Sequence, residues 1–248
     1  MKALILAAGY ATRLYPLTID QPKCLLSVGK KTILDRLYEK MENISGLNEI
    51  SIVTNDKFYQ KLEDWKNGTK RKISVRIFND RTTSNDNRLG AIGDLGFALK
   101  EIGTQEDLLM LASDNIFDED LKRFCEFANK KREGASIALY DIGDKSFAAK
   151  KYGVVEMDSQ NKITNIEEKP EFPKTSLIGM GLYYFPKETL SLVDEYLRWE
   201  GAKDAPGYYI TWLLGRIKIF GYTFSGSWYD IGDIRSLEEA DKVFLSQK

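Results

Sequence analysis

Through its first half the chain alternates short runs rich in Val, Ile and Leu with longer stretches whose apolar residues recur every three or four positions. The runs at residues 3–6, 50–54, 73–78, 108–112 and 136–140 read as buried strands. Between them, residues 33–41, 57–66, 91–99 and 119–131 carry helical spacing. Strands that alternate with helices are joined by crossovers, and right-handed crossovers build a mostly parallel, doubly wound α/β sheet.

The second half changes character. Residues 152–157 and 162–166 flank Asp158-Ser159-Gln160-Asn161, a turn sequence that predicts a hairpin and so a small antiparallel portion. A strand follows at 177–185, helices at 187–198 and 208–216, a strand at 217–224 and a closing helix from 234. No linker, repeat or low-complexity tract divides the 248 residues, of which 43% are hydrophobic, enough for one core. The expectation is a single domain over 1–248, with halves meeting near residue 140 and a terminal helix over 234–248.

With 36 basic and 37 acidic residues the net charge is −1, so no global field draws the chain to nucleic acid or to an anionic membrane. The basic stretch at 66–72 lies between a helix and a strand without interleaved aromatics, and reads as a solvated turn. The apolar start is too short for the core of a signal peptide, and no segment is long and apolar enough to span a bilayer; a cytoplasmic protein is expected. Cys24 and Cys125 fall inside predicted elements and read as buried thiols. Histidine is absent, which removes Ser-His and Cys-His nucleophile pairs and most zinc sites. Asp, Glu, Lys, Arg and backbone remain, an inventory suited to phosphate transfer, where positioning and charge neutralisation dominate.

The first strand runs into Ala7-Ala8-Gly9-Tyr10-Ala11-Thr12-Arg13-Leu14, then Pro16, Pro22 and Lys23. Small residues let backbone N–H groups approach anionic oxygens, and Arg13 and Lys23 can neutralise a triphosphate. Neither a Walker loop nor the Rossmann glycine triplet is present. By itself such a turn serves tight strand-to-helix packing equally well. Asp114 stands just past the end of the strand at 108–112, where ligands gather in open α/β sheets, though an Asp there also suits a cap or a turn. Asp230 precedes the last helix, and Asp233 is placed to cap it. Glu167 and Glu168 alternate along a predicted strand and should point to opposite faces. Gly153, early in a strand, marks either close backbone approach or a bulge.

Taken whole, Leu6-Ala-Ala-Gly-Tyr-Ala-Thr-Arg-Leu-Tyr-Pro-Leu-Thr18 with Pro22-Lys23-Cys24-Leu25-Leu26 closely resembles the signature of the sugar-1-phosphate nucleotidyltransferases, of which glucose-1-phosphate thymidylyltransferase is typical. Ser113-Asp114-Asn115, Tyr152-Gly153-Val154-Val155-Glu156, Glu167-Glu168-Lys169-Pro170 and Trp228-Tyr229-Asp230-Ile231-Gly232 resemble later segments of the same family, and Ile178-Gly179-Met180-Gly181 does so more loosely. The likeness runs from Lys2 to about Ala240 and corresponds to a catalytic domain alone.

The resemblance implies a Rossmann-like sheet with nucleotide bound by the half at about 1–140 and sugar phosphate by the antiparallel portion at about 141–233. It implies nucleotide contacts at Leu6, Ala7, Ala8, Gly9, Thr12, Arg13, Lys23, Thr83 and Gly90, with Arg13, Lys23 and Asp114 catalytic. Asp114 and Asp230 would hold Mg²⁺, an ion that takes oxygen ligands and keeps part of its water. Tyr152, Gly153, Glu168, Lys169 and Gly181 would line the sugar phosphate. The substrates so implied are a nucleoside triphosphate and a sugar 1-phosphate, best glucose 1-phosphate with dTTP or UTP, and many relatives assemble as homo-oligomers.

Four departures stand out. Ala8 replaces a second glycine and Tyr10-Ala11 the Ser-Gly or Leu-Gly of many members, Ser113 replaces a glycine, residues 82–90 lack the Gln common where dTTP is used, and residues 204–211 lack the Arg that thymidylyltransferases tend to carry there, which leaves the sugar open. The Asn-rich stretch there is also similar to relatives that use CTP on choline or inositol phosphate, although Glu-Lys-Pro argues against choline phosphate. CTP- or GTP-dependent transfer to another sugar or polyol phosphate, a non-catalytic regulatory relative, and a glycosyltransferase that consumes a nucleotide sugar are the rival readings.

Overall fold

A computed structural model describes residues 1–199 and 202–246; Gln247 and Lys248, the end of the expected terminal helix, lie outside the described residues. The chain begins with β1 (Lys2–Leu6) and two 3-10 turns, Thr12–Leu14 and Lys23–Leu25. A small hairpin, β2 (Ser27–Val28) and β3 (Lys31–Thr32), leads into α1 (Ile33–Met41). There follow β4 (Glu49–Thr54), α2 (Tyr59–Asn67), β5 (Ser74–Asn79), α3 (Ala91–Ile102), β6 (Leu108–Ala112), β7 (Asn115–Phe117), α4 (Leu121–Lys130) and β8 (Gly134–Asp141). The rest comprises β9 (Gly153–Met157), β10 (Ile163–Glu168), β11 (Leu177–Phe185), α5 (Leu192–Arg198), α6 (Pro206–Leu214), β12 (Lys218–Thr223), β13 (Trp228–Asp230) and α7 (Ile234–Ser246).

The main sheet is ordered β10-β9-β11-β6-β1-β4-β5, with β8 pairing β11 and β12. The expected α/β class with a mostly parallel sheet and a smaller antiparallel portion is what forms. Two compact units share the chain by interleaved segments: 1–89, 111–122 and the stretch from Gly226 make the first, and 90–110 with 123–225 the second. These differ from the expected halves because β8, at residues 134–141, pairs with β11 and β12, and because β13 returns to pair with β7.

In the first unit β1, β4 and β5 are parallel, with Leu6 opposite Val53 and Val53 opposite Phe78. Ala3, Leu4, Ile5, Ile50, Ile52 and Val53 are fully buried, as their uniform apolar runs require. Helix α1 starts where the Thr32 hydroxyl accepts the Asp35 N–H at 3.0 Å, and it buries Ile33, Leu34, Leu37, Tyr38 and Met41. The basic stretch is not wholly solvated. Arg71 stacks 3.6 Å over the Trp65 ring and 4.8 Å from that of Tyr38, because two aromatic faces desolvate a guanidinium at little cost.

In the second unit β12 runs parallel to β8, while β11 pairs β8 and β9, and β9 pairs β10, antiparallel. The predicted hairpin turn forms: Asp158 Oδ1 accepts from the N–H groups of Gln160 and Lys162 at 2.9 Å, and Asn161 takes a left-handed φ of +63°. Helices α3 and α5 pack at Gly96, where any Cβ would overlap Leu197. The helix expected over 187–198 divides into a 3-10 turn at Lys187–Thr189 and α5, since the Thr189 hydroxyl donates back to Pro186 O at 2.7 Å. No helix among the described residues is long and apolar enough to cross a membrane.

Candidate active site

The loop after β1 is held from beneath by its neighbours. Ala7 N–H donates to Val53 O at 2.8 Å and Asn55 Nδ2 to Ala8 O at 2.9 Å, which continues the parallel ladder past the end of β1 and buries both alanines. Gly9 then emerges into solvent, and a Cβ added there would meet nothing within 4 Å. The protein's own packing therefore does not demand glycine at this position. Ala11 adopts φ +47°, a conformation that costs an L-residue about 1 kcal/mol. Its carbonyl is fixed by Leu14 N–H at 2.9 Å and by the hydroxyl of fully buried Thr18 at 2.8 Å. Thr12 opens the 3-10 turn that carries Arg13. Sequence reasoning passed over Asn55 and Thr18, whose signal is no more than a polar residue at a strand end and within a loop.

The ammonium of Lys23 donates to Asp114 Oδ2 at 2.8 Å, and Asn115 Nδ2 donates to Asp114 Oδ1 at 3.0 Å. Asp230 stands opposite Asn115 in the β7–β13 ladder, and Ile231 N–H donates to Asp114 O at 3.0 Å, so the backbone ties the two aspartates' segments side by side. Trp228 Nε1 secures the pairing by donating to Asn115 Oδ1 at 2.7 Å. A Cβ on Gly232 would lie 3.7 Å from Asp230 Oδ2 and 3.8 Å from Arg13 Nη2, which places Arg13 in the same group. Arg13, Lys23, Asp114 and Asp230 are thus brought together within the first unit. Asn115 and Trp228 are supporting members whose role no local pattern announced. Ser113 has no left-handed φ, so no glycine is required there. Cys24, beside Lys23, is inert: burial pushes its thiol up to about 12. Asp233 caps α7, its Oδ1 accepting from Ser236 N–H at 2.8 Å.

The donor set fits Mg²⁺. Two carboxylates offer hard oxygen ligands and leave positions for phosphate and water, which is how this ion is usually held. Among the described residues no cluster of three or more His, Cys, Asp or Glu could hold a metal by itself. Asp114 Oδ2 already faces a cation, the Lys23 ammonium.

Thr83 is engaged by Asn87, whose Oδ1 accepts from Thr83 N–H at 3.1 Å and whose Nδ2 donates to the Thr83 hydroxyl at 3.2 Å. Thr82, its neighbour, donates to buried Asp80 through both N–H and hydroxyl, at 2.7 and 2.8 Å. Gly90, in the second unit, has φ +77°, and a Cβ would come within 2.7 Å of Lys203 O. That packing accounts for the glycine without reference to a ligand.

In the second unit Glu168 and Glu167 point to opposite faces, as their alternation predicts. Glu167 pairs with Lys174 at 3.0 Å with its side chain 39% exposed, whereas the Glu168 side chain is 9% exposed. Burial pushes the Glu168 carboxyl above its usual value, and Lys169, 3.9 Å away, only partly offsets it. Gly153 is a close-approach glycine rather than a bulge: its Cβ would stand 3.0 Å from Glu168 Oε2. Lys169 N–H donates to Tyr152 O at 3.1 Å, and Lys169 sits at φ +49°, a strained backbone for a lysine whose side chain is half exposed. Gly181 takes φ +75° at an irregularity in the β11–β8 register, where the strand needs a residue free of that strain.

The model of the nucleotidyl transferase family matches residues 2–247. The chain is 28% identical over 247 residues to the bifunctional protein GlmU of Methanocaldococcus jannaschii, covering all of this chain and 55% of that protein. It is 28% identical over 261 residues to a glucose-1-phosphate adenylyltransferase of Clostridium novyi, covering all of this chain and 68% of that protein. The chain spans little more than half the length of the first of these relatives. A crystal structure of UDP-glucose pyrophosphorylase complexed with UDP-glucose superposes with a TM-score of 0.83 over 100% of this chain and 99% of that one, at 21% identity, a likeness of fold alone. The loop after β1, the Lys23–Asp114 pair and the family match over nearly the whole sequence lead to one conclusion: the chain belongs to the nucleotidyl transferase family.

Proposed function

We propose that the chain transfers a nucleoside monophosphate from a nucleoside triphosphate to a sugar 1-phosphate, releasing pyrophosphate in a Mg²⁺-dependent reaction. The observation that carries this reading is the grouping of Arg13, Lys23, Asp114 and Asp230 in one unit beside a loop whose Gly9 is left open. A phosphate monoester is ionised at neutral pH, so its oxygen attacks the α-phosphorus without a general base, consistent with a chain that has no histidine.

In this reading Leu6, Ala7, Ala8, Gly9 and Thr12 contact the nucleotide, the loop backbone beyond Ala7 cradles the triphosphate, and Thr83 and Gly90 lie toward the base. Arg13 and Lys23 neutralise charge that grows on the α-phosphate and the leaving pyrophosphate. Asp114 and Asp230 hold Mg²⁺, which supplies Lewis-acid stabilisation of the phosphate oxygens when bound. Tyr152, Gly153, Glu168, Lys169 and Gly181 receive the sugar phosphate, with Lys169 on the phosphate and Glu168 accepting from hydroxyls. Glucose 1-phosphate with dTTP or UTP is the proposed pair, the sugar being supported by the Clostridium relative, a glucose-1-phosphate adenylyltransferase. A cytoplasmic location, where triphosphates are made, belongs to the same proposal.

The test is a matrix of dTTP, UTP, CTP, GTP and ATP against glucose, mannose, galactose and N-acetylglucosamine 1-phosphates, read by pyrophosphate release with and without Mg²⁺. Release with at least one pair, strictly dependent on both substrates and the metal, is expected; none with any pair overturns the reading.

A further inference from the structure

Gly207 occupies the first turn of α6, where glycine weakens a helix relative to alanine. Its backbone needs no glycine, since Gly207 is not among the residues with left-handed φ. A Cβ at this position would overlap the Glu168 carboxylate, and the three nearest atoms all belong to Glu168: Oε2, then Cδ at 2.9 Å and Cβ at 3.5 Å. On β9, a Cβ at Gly153 would stand 3.0 Å from the same Oε2, a tight contact rather than an overlap. The carboxylate is thus seated between two glycines from different elements of the second unit, with Oε2 against both and Oε1 toward Lys169 at 3.9 Å.

We propose that Gly207 is a positioning residue: its missing side chain sets where the Glu168 carboxylate stands, and through it how the hydroxyls of the sugar 1-phosphate are received. A side chain at 207 would drive the carboxylate out of its seat, turning Oε1 away from the ligand while leaving the triphosphate site unaltered. Burial of Glu168 against this seat raises its pKa, as a carboxylate enclosed by backbone and glycine should. The inference rests on the proposed nucleotidyl transfer for its ligand, but the seat itself is a property of the fold.

Four proteins test it: wild type, Gly207→Ala, Glu168→Asp and the double variant, each assayed with glucose 1-phosphate and the triphosphate that turns over in the substrate matrix, and each melted thermally. Aspartate is one methylene shorter and restores room for a Cβ at 207. Gly207→Ala is expected to lower the Tm and to raise the KM for glucose 1-phosphate at least tenfold, with the KM for the triphosphate within twofold of wild type. Adding Glu168→Asp should then raise the Tm and recover part of the sugar KM, although Glu168→Asp alone worsens it. A Tm that rises on Gly207→Ala in both backgrounds would show that no steric seat exists and overturn the proposal. A Tm that couples to residue 168 with an unchanged sugar KM would overturn the positioning role. Absence of turnover by wild type with every substrate pair overturns nucleotidyl transfer and the ligand with it; the thermal cycle then decides the seat alone.

Discussion

The Lys23 ammonium and the Asp114 carboxylate, 91 positions apart in sequence, meet at 2.8 Å with side chains 14% and 28% exposed. An ion pair that is partly withdrawn from water is stronger than a surface pair, and here the lysine occupies one oxygen of a carboxylate proposed to hold the metal. On the proposed function, lysine and metal would compete for Asp114 in the free protein, and an incoming triphosphate would give the lysine a second anionic partner.

Replacing Lys23 with Met removes the proposed competitor and the proposed α-phosphate contact together. The expected result is a fall in kcat/KM of about 100-fold or more, and tighter binding of Mn²⁺ to the nucleotide-free protein. Electron paramagnetic resonance of free Mn²⁺ checks the second part. Unchanged Mn²⁺ affinity would show that Lys23 does not compete with a metal for Asp114.

Gly9 has open space where its side chain would be, so Gly9→Ala should leave stability within about 0.5 kcal/mol of wild type, as for a surface substitution. If a triphosphate fills that space, the KM for triphosphate rises by an order of magnitude while the KM for the sugar phosphate stays constant. Thermal melts and steady-state kinetics separate the two effects.

Much of the fold and part of the site can be read from residue order alone. The Val-, Ile- and Leu-rich runs become buried strands because continuous apolarity suits a sheet covered on both faces, and Asp158 to Asn161 turns the β9–β10 hairpin through ordinary Asx hydrogen bonds. The pairing of β7 with β13 is not legible, since three-residue strands carry no periodicity, yet it ties Asp230 to the segment of Asp114. Nor is the seat of Glu168, because Gly207 lies 39 positions away and its sequence neighbours suggest only a helix start. Arg71 reads as solvated by charge, and only the placement of Trp65 and Tyr38 shows why it is not.

Asp107 makes an acid-sensitive contribution to stability. Burial acts to raise its pKa, but hydrogen bonds from the Arg132 guanidinium, the Lys187 N–H at 3.0 Å and the Tyr184 hydroxyl at 2.8 Å outweigh it and hold the carboxyl below the usual range. With the folded pKa below the unfolded one, the contribution is present above the ordinary carboxylate pKa and is lost as pH falls through the depressed value. Asp107→Asn should cost about 2–3 kcal/mol at pH 7 in urea unfolding. The difference from wild type should shrink below pH 4; a constant difference down to pH 2 would contradict the assignment.

Glu168 has the opposite sign. Its folded pKa is raised, so stability linked to the protonated acid is full below the unfolded value and is lost as pH rises through the folded one. Glu168→Gln should melt higher than wild type at pH 8, with the gap closing by pH 4, while its KM for sugar 1-phosphate increases. A variant that is less stable at pH 8 would show that the carboxylate is well paired rather than held for a ligand.

Nucleotidyl transfer is tested most directly in reverse. Incubating the protein with Mg²⁺, ³²P-labelled pyrophosphate and, separately, dTDP-glucose and UDP-glucose should move label into dTTP or UTP while glucose 1-phosphate appears in equal amount. If neither nucleotide sugar yields labelled triphosphate, the pairing of glucose with dTTP or UTP is contradicted; if either is cleaved to free sugar and nucleoside diphosphate, the account of Arg13, Lys23, Asp114 and Asp230 as a nucleotidyl-transfer site is contradicted.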